Sequence, residues 1–161
     1  GVIRYLIRYL IRYLINKLGE FSVDNRFHIL LSRTVNSHFK RSTNQFRALG
    51  LSSGQPKVLE RLVGLEGCMQ KELAEACEVE PATITSILPN MEKKGLIKRE
   101  PIVQDSGTRS LSVSLTAEGK VKERAVANVF DEVEALSFQG FSSAEKETFL
   151  KLLERVYQNI K

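Results

Sequence analysis

The stretch Met69–Thr116 constrains the fold more than any other part of this 161-residue chain. It reads as a short helix over Met69–Ala76, a turn at Cys77–Glu80, and a second helix from Pro81 to about Lys94. Proline suits the first helical position, because the N–H it lacks would be unpaired there anyway. Pro89 lies inside the same helix, where it removes a backbone hydrogen bond and is expected to bend it. Gly95 ends the helix. In Ser110–Leu115, Leu111, Val113 and Leu115 alternate with serines, the pattern of a half-buried strand. Leu96–Glu100 is its expected partner. The loop Pro101–Arg109 between them is long for a simple hairpin, and such loops on small scaffolds often carry function. Two helices, a strand pair and a long tip follow the order of a winged helix-turn-helix, a module that places one helix in a DNA groove.

Amphipathic helices flank this module. Residues 25–49 carry Phe27, Leu30, Leu31, Val35, Phe39 and Phe46 at mostly helical spacing. Ser22 and Asp24 are candidate caps, and Gly50 is the stop. Ser52 or Ser53 is expected to cap a helix to about Val63, with Pro56 near its first turn. After the strands, Thr116 should cap a helix from Ala117 to about Leu136, with Val121, Ala125, Val129, Val133 and Leu136 on one side. Ser142 with Glu145 makes a capping box for a last helix bearing Phe149, Leu152, Leu153, Val156 and Ile160.

Residues 1–19 differ from the rest. "IRYL" occurs three times in tandem, followed by "INKL". On a helical wheel, Ile and Leu fill about half the circumference, with Tyr on one border and Arg on the other. The readings are a cationic membrane-surface helix, an extra helix packed on the fold or on a partner subunit, or a segment joined to the chain by engineering.

The fold expected is mainly α. It comprises the amphipathic repeat (1–19), an N-terminal dimerisation helix (20–50), a winged helix-turn-helix with a two-stranded wing (51–116) and C-terminal dimerisation helices (117–161).

Net charge is +5, which by itself would suit a nucleic-acid partner. Residues 1–20 supply three of those five charges (Arg4, Arg8, Arg12 and Lys17 against Glu20), so local placement must decide. The two cysteines, Cys68 and Cys77, flank a predicted helix and would lie ~13 Å apart along it, too far for a disulfide. Unpaired thiols suit a reducing cytoplasm. No apolar run reaches the length of a membrane span. No metal-ligand cluster, phosphate-binding glycine loop or nucleophile elbow is present, so neither an enzyme nor a cofactor is expected. His28 and His38, ten residues apart on one helix, fall on different faces and do not suggest a metal site.

The segments "LGLSSGQPKVLERL", "MQKELAEACEVEPATITSILPNMEKKGLIKRE" and "SLSVSLTAEGK" resemble the MarR/SlyA family of bacterial transcriptional regulators, in order and at the usual spacing from about Phe21 onward. The resemblance implies a homodimer with intertwined terminal helices, each subunit offering one recognition helix and one wing to a palindromic operator in double-stranded DNA. It also implies a small-molecule effector held between the dimerising helices and the winged module. The chain departs from the family pattern at three places. Ser86 stands where the family often has Arg. Pro89-Asn90 stands where it often has Asp–Arg. Gly107-Thr108-Arg109 stands where the wing often reads Asp-Arg-Arg, leaving Asp105 as a substitute acid.

On this reading Pro81, Ala82, Thr83, Thr85, Ser86 and Asn90 form the groove-facing set, since hydroxyl and amide groups reach phosphates or base edges. Ile84, Ile87 and Leu88 form the core side. Lys93, Lys94, Lys98, Arg99 and Arg109 are the local basic set, opposed by Glu92, Glu100 and Asp105. Lys93, Lys98, Arg99 and Arg109 are the expected DNA contacts at the wing and its flanks. Arg109 leads them, because an arginine at a wing tip can enter a narrow minor groove. Two alternatives to a ligand-relieved repressor stay open: a winged module that pairs with protein rather than specific DNA, and a regulator that senses oxidants through Cys68 or Cys77.

Overall fold

The computed structural model describes residues 6–11, 26–103, 107 and 109–161. The expected caps Ser22 and Asp24, the acid Asp105 and most of the "IRYL" repeat lie outside these residues. The chain divides into two compact units, Gly1–Arg41 and Ser42–Lys161. In the first unit, residues 6–11 are helical, and Leu6, Ile7, Tyr9, Leu10 and Ile11 are exposed. A long helix, α1 (Phe27–Ala48), begins in this unit and continues into the second. Up to Phe39 it exposes Phe27, Leu30, Leu31, Val35 and Phe39.

The second unit contains the winged module. Its helices and strands are α2 (Gln55–Leu62), β1 (Cys68–Met69), α3 (Gln70–Ala76), α4 (Pro81–Lys93), β2 (Ile97–Val103), β3 (Arg109–Leu115), α5 (Ala117–Ser137) and α6 (Ser143–Ile160). The sheet is antiparallel in the order β1-β3-β2. The expected two-stranded wing therefore gains a short third strand. Met69, expected as the first residue of a helix, and Cys68 before it pair with Ser112 and Val113. A two-residue strand leaves no periodicity to read. The wing strands are also longer than expected, pairing from Ile97↔Leu115 out to Val103↔Arg109.

The core draws on α2, α3, α4, β2, β3 and α5. Leu59 and Leu62 of α2, Leu73 of α3, Ile84, Leu88 and Met91 of α4, Ile97 of β2, Val113 of β3 and Val126 of α5 are fully buried. Phe46, near the end of α1, meets Phe130 of α5 edge to face, with ring centroids 5.2 Å apart. On α5 the buried stripe is Val126, Val129 and Val133, whereas Val121 and Leu136 are exposed. The apolar side of this helix thus extends beyond what the module covers.

Two local features place the recognition helix. Cys77 caps α3, and Glu78 in the turn has φ +52°, the only positive φ outside glycine among the described residues. The helix pair α3–α4 is joined through this left-handed residue. Beyond α4, Thr116 seals the module. Its hydroxyl donates to Gly95 O at 2.5 Å and accepts from Gly119 N–H at 2.9 Å, and its N–H donates to Leu96 O at 3.1 Å. The expected caps Thr116 and Ser142 both form, each accepting from an amide three residues on. The cap expected at Ser52 or Ser53 does not. Gly54, at φ +82°, is the N-cap of α2, and no side chain caps that end. Its left-handed backbone, which glycine adopts without steric cost, makes it the cap.

Candidate nucleic-acid interface

Helix α4 buries Ile84, Leu88 and Met91, spaced i, i+4, i+7. At 3.6 residues per turn this turns Ala82, Ser86, Pro89 and Lys93 to the opposite side, flanked by Thr85 on one edge and Thr83 and Asn90 on the other. Pro81, Ala82, Thr83, Thr85, Ser86, Pro89, Asn90 and Lys93 are all exposed. The structure places the expected groove-facing residues on the exposed side of this helix and sets Pro89, expected to bend it, among them. Ile87, assigned to the core side, is half-buried.

The polar groups on this face are not equivalent. The Thr85 hydroxyl donates to Pro81 O at 3.0 Å, and the Ser86 hydroxyl donates to Thr83 O at 2.8 Å. A hydroxyl has one hydrogen. In these rotamers Thr85 and Ser86 present only acceptor lone pairs outward, and they must rotate before they can donate to a phosphate. Asn90 is different: its Oδ1 accepts from Gln55 Nε2 at 2.7 Å, leaving its own NH2.

The basic set also sorts by partner. Lys93 and Arg109 are exposed and make no ion pair with another described residue. Lys98 pairs with Glu100 at 3.1 Å, both side chains more than half exposed. Such a pair is worth little and yields easily to a phosphate. Arg99 is committed elsewhere. Its guanidinium donates to Glu92 Oε2 from Nη2 at 2.6 Å and from Nε at 3.0 Å, and its backbone N–H donates to Glu92 Oε1 at 3.2 Å. These bonds hold the Glu92 carboxyl below the usual carboxylate range. Arg99 thus ties the base of the wing to the recognition helix. Lys94 is also engaged, donating to Gly50 O at 2.8 Å and to Gln55 Oε1 at 3.1 Å. Arg109 opens β3 opposite Val103, at the outer end of the wing ladder.

One residue of this site escaped sequence reasoning. Gln55 is buried, yet every polar atom of its side chain has a partner on the α1–α2 turn or on α4. The available signal was its position three residues after Ser52, the spacing of a capping box. Its oxygen does accept from Ser52 N–H, at 3.1 Å.

Comparison with known proteins accords with this geometry. The MarR family profile matches residues 51–106. The HTH-type transcriptional repressor YetL of Bacillus subtilis is 30% identical over 118 residues, covering 71% of this chain and 69% of that protein. Among solved structures, the Staphylococcus aureus MepR–DNA complex superposes with a TM-score of 0.74 at 22% identity, over 87% of this chain and all of that one. The PcaV transcriptional regulator of Streptomyces coelicolor, solved with its natural ligand, gives 0.70 at 22% identity, over 89% of this chain and 99% of that one. At that identity the two structures speak for the fold. Together with the profile, the shared identity with YetL shows that this chain belongs to the MarR family of winged helix-turn-helix transcriptional regulators.

Proposed function

We propose that the chain acts as a homodimeric, sequence-specific repressor on a palindromic operator, relieved by a small ligand. The observation that carries this reading is the outward face of α4. It is exposed, bears Thr83, Thr85, Ser86, Asn90 and Lys93, and its only carboxylate, Glu92, is neutralised by Arg99. The helix itself therefore leaves no carboxylate unpaired. Arg109, Lys98 and Lys93 supply phosphate contacts, which position the protein while the helix reads bases. Pro81 and Ala82 bring the N-terminal turn of α4 close to the groove. Dimerisation sets the spacing of the two recognition helices at roughly 34 Å, one turn of DNA.

Repression and ligand relief draw support from relatives. YetL is described as a repressor, MepR has been solved on DNA, and PcaV has been solved with its natural ligand. A ligand between the terminal helices and the winged module would alter the helix spacing, with a coupling of about 1–3 kcal/mol. The thiol-switch alternative has less support. Cys68 and Cys77 are both buried, and burial raises the pKa of each, so little reactive thiolate forms.

A second reading, pairing with protein instead of specific DNA, is favoured by one observation. α4 carries no arginine, and two of its hydroxyls bond to their own helix. Selection of bound DNA from a random pool separates the two readings. An enriched inverted repeat, with centres about one turn apart, is the expected result. A pool that stays random would leave the protein-pairing reading.

A further inference from the structure

Around Gln55 the direction of each hydrogen bond follows from groups that can only donate. The Ser52 backbone N–H and the Lys94 ammonium both reach the same Gln55 atom, each at 3.1 Å. Neither group can accept a hydrogen bond. The Gln55 atom facing them is therefore the carbonyl oxygen, and the amide nitrogen is turned toward Asn90. That nitrogen can only donate, so the Asn90 atom that meets it at 2.7 Å is Oδ1. The Asn90 NH2 is then the end available to a partner, on an exposed position of α4. Lys94 is anchored in turn on Gly50 O at 2.8 Å. The arrangement sits just beyond Pro89, where the helix lacks a backbone N–H. It thus restrains the last turn of α4 where the helix ladder is weakest.

Resting on the DNA-binding reading above, we propose that Gln55 is a positioning residue that sets the polarity of Asn90, so that the recognition helix offers DNA a hydrogen-bond donor at this position. An asparagine that reads adenine uses its oxygen and its nitrogen together. Here the oxygen is engaged inside the protein, so the two-bond adenine pattern is closed to Asn90. Its NH2 selects an acceptor: a phosphate oxygen, or a base-edge acceptor such as guanine O6 or N7 or thymine O4. The outward lone pairs of Thr85 and Ser86 leave Asn90 as the amide donor of this face. Gln55 is buried and each polar atom of its side chain is bonded, so Asn90 cannot reverse its amide unless Gln55 turns as well.

The test uses Gln55→Glu. A carboxylate keeps acceptors for Ser52 and Lys94 but donates nothing, so Asn90 must turn its NH2 inward. Affinity for the DNA enriched by the wild-type protein is measured for wild type, Gln55→Glu, Asn90→Ala and the double variant. Each single change is expected to weaken binding roughly tenfold, the scale of one lost hydrogen bond to a charged or well-oriented partner. The double variant should bind no more weakly than Asn90→Ala, because Gln55 acts through Asn90. In the free protein, the Asn90 side-chain amide protons should exchange rapidly in wild type and become protected in Gln55→Glu, read by 15N-resolved NMR. Additive losses, or no gain of protection, would overturn the relay while leaving DNA binding in place. A wild-type protein that enriches no DNA overturns the functional reading, and this inference with it. Should Gln55→Glu fail to fold, Asn90→Asp replaces the outward donor by an oxygen, and unchanged affinity would overturn the proposal. A base-pair scan identifies the acceptor. A loss uniform over sequences marks phosphate, and a loss confined to one symmetric pair of positions marks a base edge. An adenine-specific readout by Asn90 would refute the proposal.

Discussion

Gly119, one turn into α5, leaves room for nothing larger. A Cβ built on it would lie 1.9 Å from Leu96 O and 2.9 Å from the Leu96 carbonyl carbon. The obstacle is backbone at the start of β2, so no rotamer change relieves it. Gly119→Ala is expected to cost about 3 kcal/mol, the upper range for overpacking a close-packed site. A lower urea midpoint at unchanged slope would register it. At the same scale, Arg109 is exposed at the outer end of the wing ladder. Arg109→Ala should weaken operator binding by ~1–3 kcal/mol and lower the salt slope by about one. Affinity that is unchanged across a salt series would show that the wing does not grip through this residue. The position of Arg109 beside the hairpin loop was legible in the sequence. The restriction at Gly119 was not, because Leu96 and Gly119 approach only once the strand and helix have packed.

Between elements, the Glu92–Arg99 pair joins the recognition helix to the wing. Sequence reasoning placed Arg99 among the DNA contacts and Glu92 among the opposing charges. Strand pairing carries Arg99 back over the end of α4, where the guanidinium meets the carboxylate in a geometry that few lysines could match. Because the folded pKa of Glu92 is depressed, its contribution is present above the ordinary carboxylate range and is lost as pH falls through the lowered value. Arg99→Ala should return the Glu92 carboxyl to the ordinary range. The 13C shift of that carboxyl, followed against pH, should show its midpoint rising in the variant. A midpoint that stays low would assign the depression to another cause. Helix boundaries were the most legible feature at this scale. Pro81, Thr116 and the Ser142–Glu145 box act locally, and each mark lies within one turn of the boundary it sets.

At the scale of the molecule, apolar side chains remain uncovered. On α6, Phe149, Leu150, Leu152, Leu153, Tyr157 and Ile160 are exposed and none of its residues is buried. Phe27, Leu30, Leu31 and Val35 in the first half of α1 are exposed as well. Faces of this kind call for a partner, and we expect a homodimer at micromolar concentration. A folded monomer by sedimentation equilibrium would refute that. Residues 1–18 carry four net positive charges (Arg4, Arg8, Arg12 and Lys17) but no part of the winged module. Deleting them should change operator affinity at physiological salt by less than about tenfold, because the winged module and its flanking helices are complete without them and salt screens the lost charge. A larger loss, or conversion to monomer, would make the segment part of the working assembly.

Local physics was enough to read most of the architecture from the chain. Periodicities of 3.6 and 2 separate helices from strands, and proline, glycine and the Ser/Thr caps mark their ends. The order of those elements names the winged module. The segments "KELAEACEVEPATIT" and "SLSVSLTAEGK" carry the family, because their spacing survives without any contact being known. What the tertiary structure alone decided is which side chains are already occupied. Arg99 and Lys94 look like free cations in sequence, and packing gives each an internal acceptor. Gln55 and Asn90 stand 35 residues apart and meet at 2.7 Å only when α2 packs beside α4. A hydrogen bond needs its partner within about 3 Å at the right angle, and no pattern along the chain encodes that distance.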